Sequence, residues 1–166
     1  MVNQQNIKIN SGLPNFLLLD AITGADETTI AGARKFFQAA PWLGIEALAQ
    51  LGAFHVRQLT GFQKHAFLLK INRFVLPQSE TLQGRYLLQG TLVSRSGGAF
   101  VYELMAMQGK ALEFSGNFLY AVVDYDDVLV ESRLRNHYLR IFRCLQNANG
   151  NGSNAGARPG SSAPLR

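Results

Sequence analysis

The stretch Pro41-Trp42-Leu43-Gly44-Ile45-Glu46-Ala47-Leu48-Ala49-Gln50-Leu51-Gly52 opens an almost uncharged run that continues to Leu59. Within that run Trp42, Ile45, Leu48, Ala49, Gly52, Val56 and Leu59 recur at helical spacing. Leu43, Ala47, Leu51 and Phe54 cover much of the remaining circumference. A helix that is apolar nearly all round is surrounded by other elements instead of lying on a surface. Pro41 suits its first turn, where a missing N–H costs nothing, and Gly61 suits its end. The stretch therefore predicts a long buried helix over about residues 41–60, with the rest of the fold built around it.

Glu46 is the anomaly in this helix. Desolvating a carboxylate costs several kcal/mol unless it is paired, hydrogen-bonded or protonated. A glutamate set between Ile45 and Ala47 therefore occupies a polar pocket or does chemistry. Gln50 lies one turn further on, about 40° round, where it could hydrogen-bond Glu46 or a bound carbonyl.

The flanking sequence reads mostly as strands. Phe16-Leu17-Leu18-Leu19 is a short apolar run followed by a turn at Gly24-Ala25-Asp26, and Glu27 to Phe37 alternates in the manner of a strand. After the helix come His65–Phe74, Thr81–Ser94, Gly98–Gln108 and Lys110–Asp124, rich in Val, Leu, Phe and Tyr. Turns as tight as Ser96-Gly97-Gly98 and Gln108-Gly109-Lys110 demand antiparallel neighbours. The predicted order is strand, strand, long helix, antiparallel meander: an α+β fold in which a curved antiparallel sheet wraps the helix. Val128 to Gln146 then places Leu134, Tyr138, Ile141, Phe142 and Leu145 on one face of a C-terminal amphipathic helix, with Asp124 to Asp127 suited to its N-terminus. From Asn147 the chain reads NANGNGSNAGARPGSSAPLR, which lacks the apolar surface needed to offset its ordering entropy. The expected division is a folded domain over 1–127, a helix over 128–146 and a disordered Gly/Asn/Ser-rich tail over 147–166.

Composition excludes several classes of function. The net charge of +5 includes Arg133, Arg135, Arg140 and Arg143 of the late helix and Arg158 and Arg166 of the tail. The remainder holds ten basic residues against eleven acidic ones, so the body is near neutral. No nucleic-acid motif is present, and no apolar run approaches the roughly 18 residues of a membrane span. The lone Cys144 forms no internal disulfide and is expected to pack on the inner side of the late helix, in keeping with a cytoplasmic protein.

Three segments, in this order and separation, resemble a known family. Ile45-Glu46-Ala47-Leu48-Ala49-Gln50 is similar to a carboxylate followed by Ala-x-x-Gln that opens the family's central helix. Phe16-Leu17-Leu18-Leu19-Asp20 is similar to its opening "PFLLVDR", and Lys70-Ile71-Asn72-Arg73-Phe74-Val75-Leu76-Pro77 to a strand with Arg-Phe and a later Pro. Over Leu13 to Tyr125 the chain resembles the β-hydroxyacyl-acyl-carrier-protein dehydratases (FabA/FabZ-like) and their relatives in the hotdog superfamily. The resemblance implies a hotdog fold and a dimer, homomeric or with a second hotdog subunit, whose acyl tunnel forms between subunits. It implies Glu46 as a catalytic carboxylate and Trp42, Gly44 and Gln50 as substrate-binding residues, with no metal and no cofactor. Asp20, which ends the first family strand, is expected to act as a turn or strand-end group.

One part of the family pattern is missing. Its loop "GHFPGxPVMPG", which brings the catalytic histidine, has no counterpart in the short link Gln38-Ala39-Ala40-Pro41-Trp42-Leu43-Gly44. Dehydration needs a base for the α-proton and an acid for the departing hydroxyl, and Glu46 supplies only one of them. His55 lies nine residues beyond Glu46, about 180° round the helix, so it could serve only a neighbouring subunit's site. His65 reads as a half-exposed edge residue and His137 as a surface residue.

The expectation is a dehydratase-like hotdog protein that handles acyl thioesters of acyl carrier protein or CoA in fatty-acid or polyketide-type biosynthesis, lacking the standard histidine and serving as a non-catalytic partner subunit. The alternatives are a thioesterase working through Glu46, or a divergent 3-hydroxyacyl dehydratase using a displaced histidine. Arg133, Arg135, Arg140 and Arg143 would suit the acidic surface of an acyl carrier protein.

Overall fold

The computed structural model describes residues 16–148. The tail from residue 149 onward lies outside them, while Asn147, read as its first residue, closes the last helix. The elements in chain order are β1 (Ala21–Ala25), β2 (Thr29–Ala39), α1 (Pro41–Leu59), β3 (His65–Val75), β4 (Leu82–Ser96), β5 (Ala99–Gln108), β6 (Ala111–Val123) and α2 (Glu131–Asn147). One six-stranded sheet in the order β1-β2-β4-β5-β6-β3, antiparallel throughout, curves around α1.

Two expectations about the strands need correction. The first strand is Ala21–Ala25, not Phe16–Leu19; the latter run lies outside the sheet and buries Leu18 and Leu19 in the core. The cause is Asp26, whose carboxylate accepts from the backbone N–H of Thr28 and Thr29 at 2.8 and 2.7 Å and so fixes the turn after β1. Those bonds, the one from Thr28 first, hold the Asp26 carboxyl down at about 2. Nor do the last four strands form a simple meander. Only β4-β5-β6 does so, while β3 pairs with β6 at the far edge (His65↔Val123, Asn72↔Asn117). The tight glycine turns that mark the meander are Gly97-Gly98 and Gly109, all with positive φ, and no such turn joins β3 to β4.

The passage from β2 into α1 is abrupt. Ala40 alone separates them, after a bulge at Gln38 (φ +44°) whose N–H is accepted by the Gln83 side chain. No room exists there for an inserted loop.

α1 lies close against the inner face of the sheet because its inward positions are small. Gly44 faces Phe114 and Leu82, where an added Cβ would approach the Phe114 ring to 2.6 Å, and Gly52 sits directly against the Tyr120 hydroxyl. Tyr120 donates that hydroxyl to the Ala49 carbonyl at 2.9 Å, so the same ring packs on the helix and bonds to it. Leu48, Leu51 and Val56 complete the buried face against Leu88, Tyr102, Leu104 and Phe118.

α2 covers the C-terminal half of α1. Phe142 and Leu145 are buried, and Phe142 packs on Phe54 and Phe62 with ring centroids 6.1 and 5.4 Å apart. The carboxylates before it do not cap it: Val130 occupies the N-cap, and Asp126 instead accepts from the N–H groups of Val128 and Leu129. Cys144, expected on the inner side, is exposed, because it falls two steps of about 100° past Phe142 and so points away from the packed stripe.

Gly52→Ala is expected to lower stability by about 1–3 kcal/mol, since Tyr120 must move or lose its bond to Ala49. Gly24→Ala, which meets nothing within 4 Å, should stay within about 0.5 kcal/mol in the same urea titration.

Candidate functional site

The inward face of α1 fixes what its outward face presents. Glu46, Gln50, Ala53 and Arg57 follow one another at i, i+4, i+7 and i+11, a single stripe along the helix. This stripe, with Phe16 and Leu17 on one side, Leu68 of β3 below, and His137, Tyr138, Arg140 and Ile141 of α2 opposite, bounds a cleft of about 650 Å³.

Glu46 stands half-buried at one end of the cleft. Its Oε1 accepts from the Gln50 side-chain amide at 3.1 Å, its single hydrogen bond among the described residues. Burial pushes its carboxyl above the usual glutamate value, and the bond from Gln50 only partly offsets this. Gln50 is itself fully committed. Its other amide hydrogen reaches the Phe16 carbonyl at 2.8 Å, and its oxygen accepts from the Leu18 N–H at 2.8 Å. One side chain thus ties the N-terminal segment to α1 and orients Glu46, with no donor left for a ligand.

The other candidates lie apart from Glu46. Gly44 faces the sheet, where it permits close packing and does not line the cleft. Trp42 is 54% exposed on the first turn, outside the cleft. His55 is completely buried on the opposite face of α1. Its Nε2 donates to the Asp26 carbonyl at 2.7 Å and its Nδ1 accepts from the Tyr102 hydroxyl at 2.8 Å, so the neutral ring has both nitrogens satisfied. Burial lowers the His55 pKa and keeps it in that form. His65 is not half-exposed as expected: α2 closes over the edge strand there and stacks Tyr138 on it at 5.9 Å. Only His137, read from sequence as a surface residue, reaches the cleft, on the helix opposite Glu46.

Of the late arginines, Arg140 lines the cleft, Arg135 pairs with Glu131 within α2 at 3.1 Å, and Arg133 and Arg143 are exposed. Asp20 behaves as a strand-end group, accepting from Arg34 Nη1 at 2.7 Å and from the Lys35 N–H at 2.6 Å. Among the described residues no cluster of His, Cys, Asp and Glu could hold a metal, and no helix is long and apolar enough to cross a membrane.

Sequence reasoning missed Arg57. It is 6% exposed, its guanidinium lies over the Tyr138 ring at 3.9 Å, and its Nη2 donates to the Ala66 carbonyl at 3.1 Å. A buried cation is worth a few kcal/mol when well bonded and costs as much when not. The signal was present, since Arg57 falls on the same stripe as Glu46 and Gln50.

Two outcomes follow from these environments. Because the Glu46 pKa is raised on folding, its contribution to stability is full below the ordinary value of 4.5 and is lost as pH rises through the folded value. Glu46→Gln is therefore expected to be more stable than the unaltered protein at neutral pH, with the difference vanishing in acid, as read by thermal melts across pH. Tyr102→Phe would leave the buried His55 Nδ1 without a donor and should cost about 1–3 kcal/mol in chemical denaturation.

No protein-family model matches the chain, and no curated protein matches it in sequence. Solved structures do match in shape. They include the thioesterase PA1618 from Pseudomonas aeruginosa (12% identity, 62% of this chain and 80% of that one, TM-score 0.54). They also include the putative thioesterase YhdA from Lactococcus lactis (17% identity, 63% and 94%, TM-score 0.52). A third is the dehydratase heterocomplex ApeI:P from Xenorhabdus doucetiae (13% identity, 68% and 86%, TM-score 0.54). With the six-stranded sheet and its wrapped helix, these likenesses establish that the chain has the hotdog fold.

Proposed function

We propose that this protein binds acyl thioesters of acyl carrier protein or CoA in the cleft between α1 and α2, with the thioester at Glu46, and does not carry out standard dehydratase chemistry. The observation that carries the proposal is the pairing at Glu46: a half-buried carboxylate of raised pKa whose hydrogen-bond partner is Gln50 and not a histidine. Elimination of water needs a second proton-transfer group within hydrogen-bond reach of the substrate. His55 and His65 are sealed into the core, His137 lines the cleft from α2 but makes no hydrogen bond to Glu46 among the described residues, and the direct passage from β2 to α1 carries no loop of the kind that brings the histidine in the dehydratases the sequence resembles.

The same carboxylate favours a second reading. A glutamate with a raised pKa is a competent base near neutrality, so hydrolysis of the thioester through Glu46 needs no histidine. Two of the similar folds belong to proteins described as thioesterases, which is compatible with this.

A second subunit completes the proposal. β3 is an edge strand whose exposed apolar residues include Phe67, Leu68, Leu69 and Val75, a surface that a paired strand would cover. Either a second copy or another hotdog chain would satisfy it. Arg133, Arg140 and Arg143 then remain available on α2 to meet an acidic carrier protein.

The purified protein is expected to bind acyl-CoA and acyl-carrier thioesters, to leave crotonyl and 3-hydroxyacyl thioesters neither hydrated nor dehydrated, and to hydrolyse thioesters, if at all, with a loss of about 100-fold or more in Glu46→Gln. Hydration or dehydration that disappears in Glu46→Gln would sink the non-dehydratase reading.

A further inference from the structure

The cleft is chemically polarised. Glu46 and Arg57 mark its two ends on α1, eleven residues and so roughly 16 Å apart along the helix axis. Arg140 and His137 of α2 line it as well, so it holds one carboxylate against two arginines.

Arg57 has no counterion among the described residues. All eleven acidic side chains of the chain fall among the described residues, and the three that form ion pairs, Asp20, Asp124 and Glu131, pair with Arg34, Lys64 and Arg135. The Arg57 guanidinium is held instead by the rings of Tyr138 and Phe54 and by one carbonyl, while its Nε is withdrawn from water with no acceptor among the described residues. Its neighbour His65 cannot help, since burial and, after it, the Arg57 charge lower the His65 pKa, and its own Nδ1 is also buried and without a partner among the described residues. Burial lowers the Arg57 pKa, but arginine stays charged even when buried, so a positive charge remains at this end of the cleft. A cleft-lining cation without a counterion among the described residues is a candidate anion site, and the planar fork of its guanidinium, 3.9 Å over the Tyr138 ring, matches the two oxygens of a carboxylate.

We infer that the Arg57 end of the cleft, with Arg140 at its rim, is a carboxylate-binding subsite, and that the acyl group taken by the cleft carries a terminal carboxylate. This rests on the acyl-thioester reading of the Glu46 end and narrows its substrate class to acyl groups charged at the distal end. It also gives α2 a part in selectivity, because Tyr138 and Arg140 both come from that helix.

The test is calorimetric titration of the full chain with non-hydrolysable thioethers of N-acetylcysteamine bearing α,ω-dicarboxylic chains of increasing length, each compared with its methyl ester. At the preferred length the free acid should bind about tenfold or more tightly than the ester. That preference should disappear in Arg57→Gln, persist in part in Arg57→Lys, and fall by a smaller factor in Arg140→Ala. If acid and ester bind equally, the carboxylate subsite is wrong while the thioester reading stands; if neither binds at any length, both fail. Displacement of the acid by phosphopantetheine, with phosphopantetheine binding lost in Arg57→Gln, would assign the anion to the carrier's phosphate and overturn the carboxylate. Should Arg57→Gln not fold, the acid-to-ester ratio in the unaltered protein and in Arg140→Ala decides the matter.

Discussion

The structure depends on how closely α1 approaches the sheet. Gly44 and Gly52 leave no side chain to hold the helix off, so the rings of Phe114 and Tyr120 come into direct contact with its backbone. The hydroxyl of Tyr120 adds a bond to Ala49 that fixes the rotation of the helix about its axis. Once that rotation is set, the opposite stripe has no freedom: Glu46 and Gln50 must face away from the sheet, and Arg57 reaches across to the edge strand at Ala66. The cleft is thus a consequence of core packing, completed when α2 docks its aromatic face on Phe54 and Phe62.

The buried histidine belongs to the same constraint. His55 occupies the inward face, where a polar ring is tolerated because Asp26 and Tyr102 satisfy both nitrogens. A residue that could have been catalytic by its chemistry is structural by its place. Glu46 lies on the other face, and its single hydrogen bond among the described residues is to an amide that already binds Phe16 and Leu18. A single glutamine therefore couples the approach of the N-terminal segment to the protonation of the carboxylate.

The helix-centred fold was legible because period and composition agreed over Pro41–Leu59, and the meander because its glycine turns allow no other pairing. The place of β3 was not legible, since its pairing with β6 joins residues forty or more positions apart and no local signal announces it. β1 was misplaced because apolar Phe16–Leu19 outweighed the turn chemistry of Asp26. At the site, the nine-residue spacing correctly separated His55 from Glu46. Gly44 was misjudged because glycine in a helix can mean close packing or ligand approach, and only the neighbouring Phe114 distinguishes them. Cleft residues from α2 could not be read, because docking of the second helix on the first is a tertiary fact.

We propose that Glu46 is an ionisable group held in a ligand-binding cleft and not a surface charge. The direct measurement is a pH titration of its side-chain carboxyl by carbon-13 NMR, with and without a saturating acyl thioether. The account predicts a midpoint above the ordinary value of 4.5 in the free protein and a clear change of that resonance on binding. A midpoint at or below the ordinary value, with a resonance indifferent to the thioether, would contradict it.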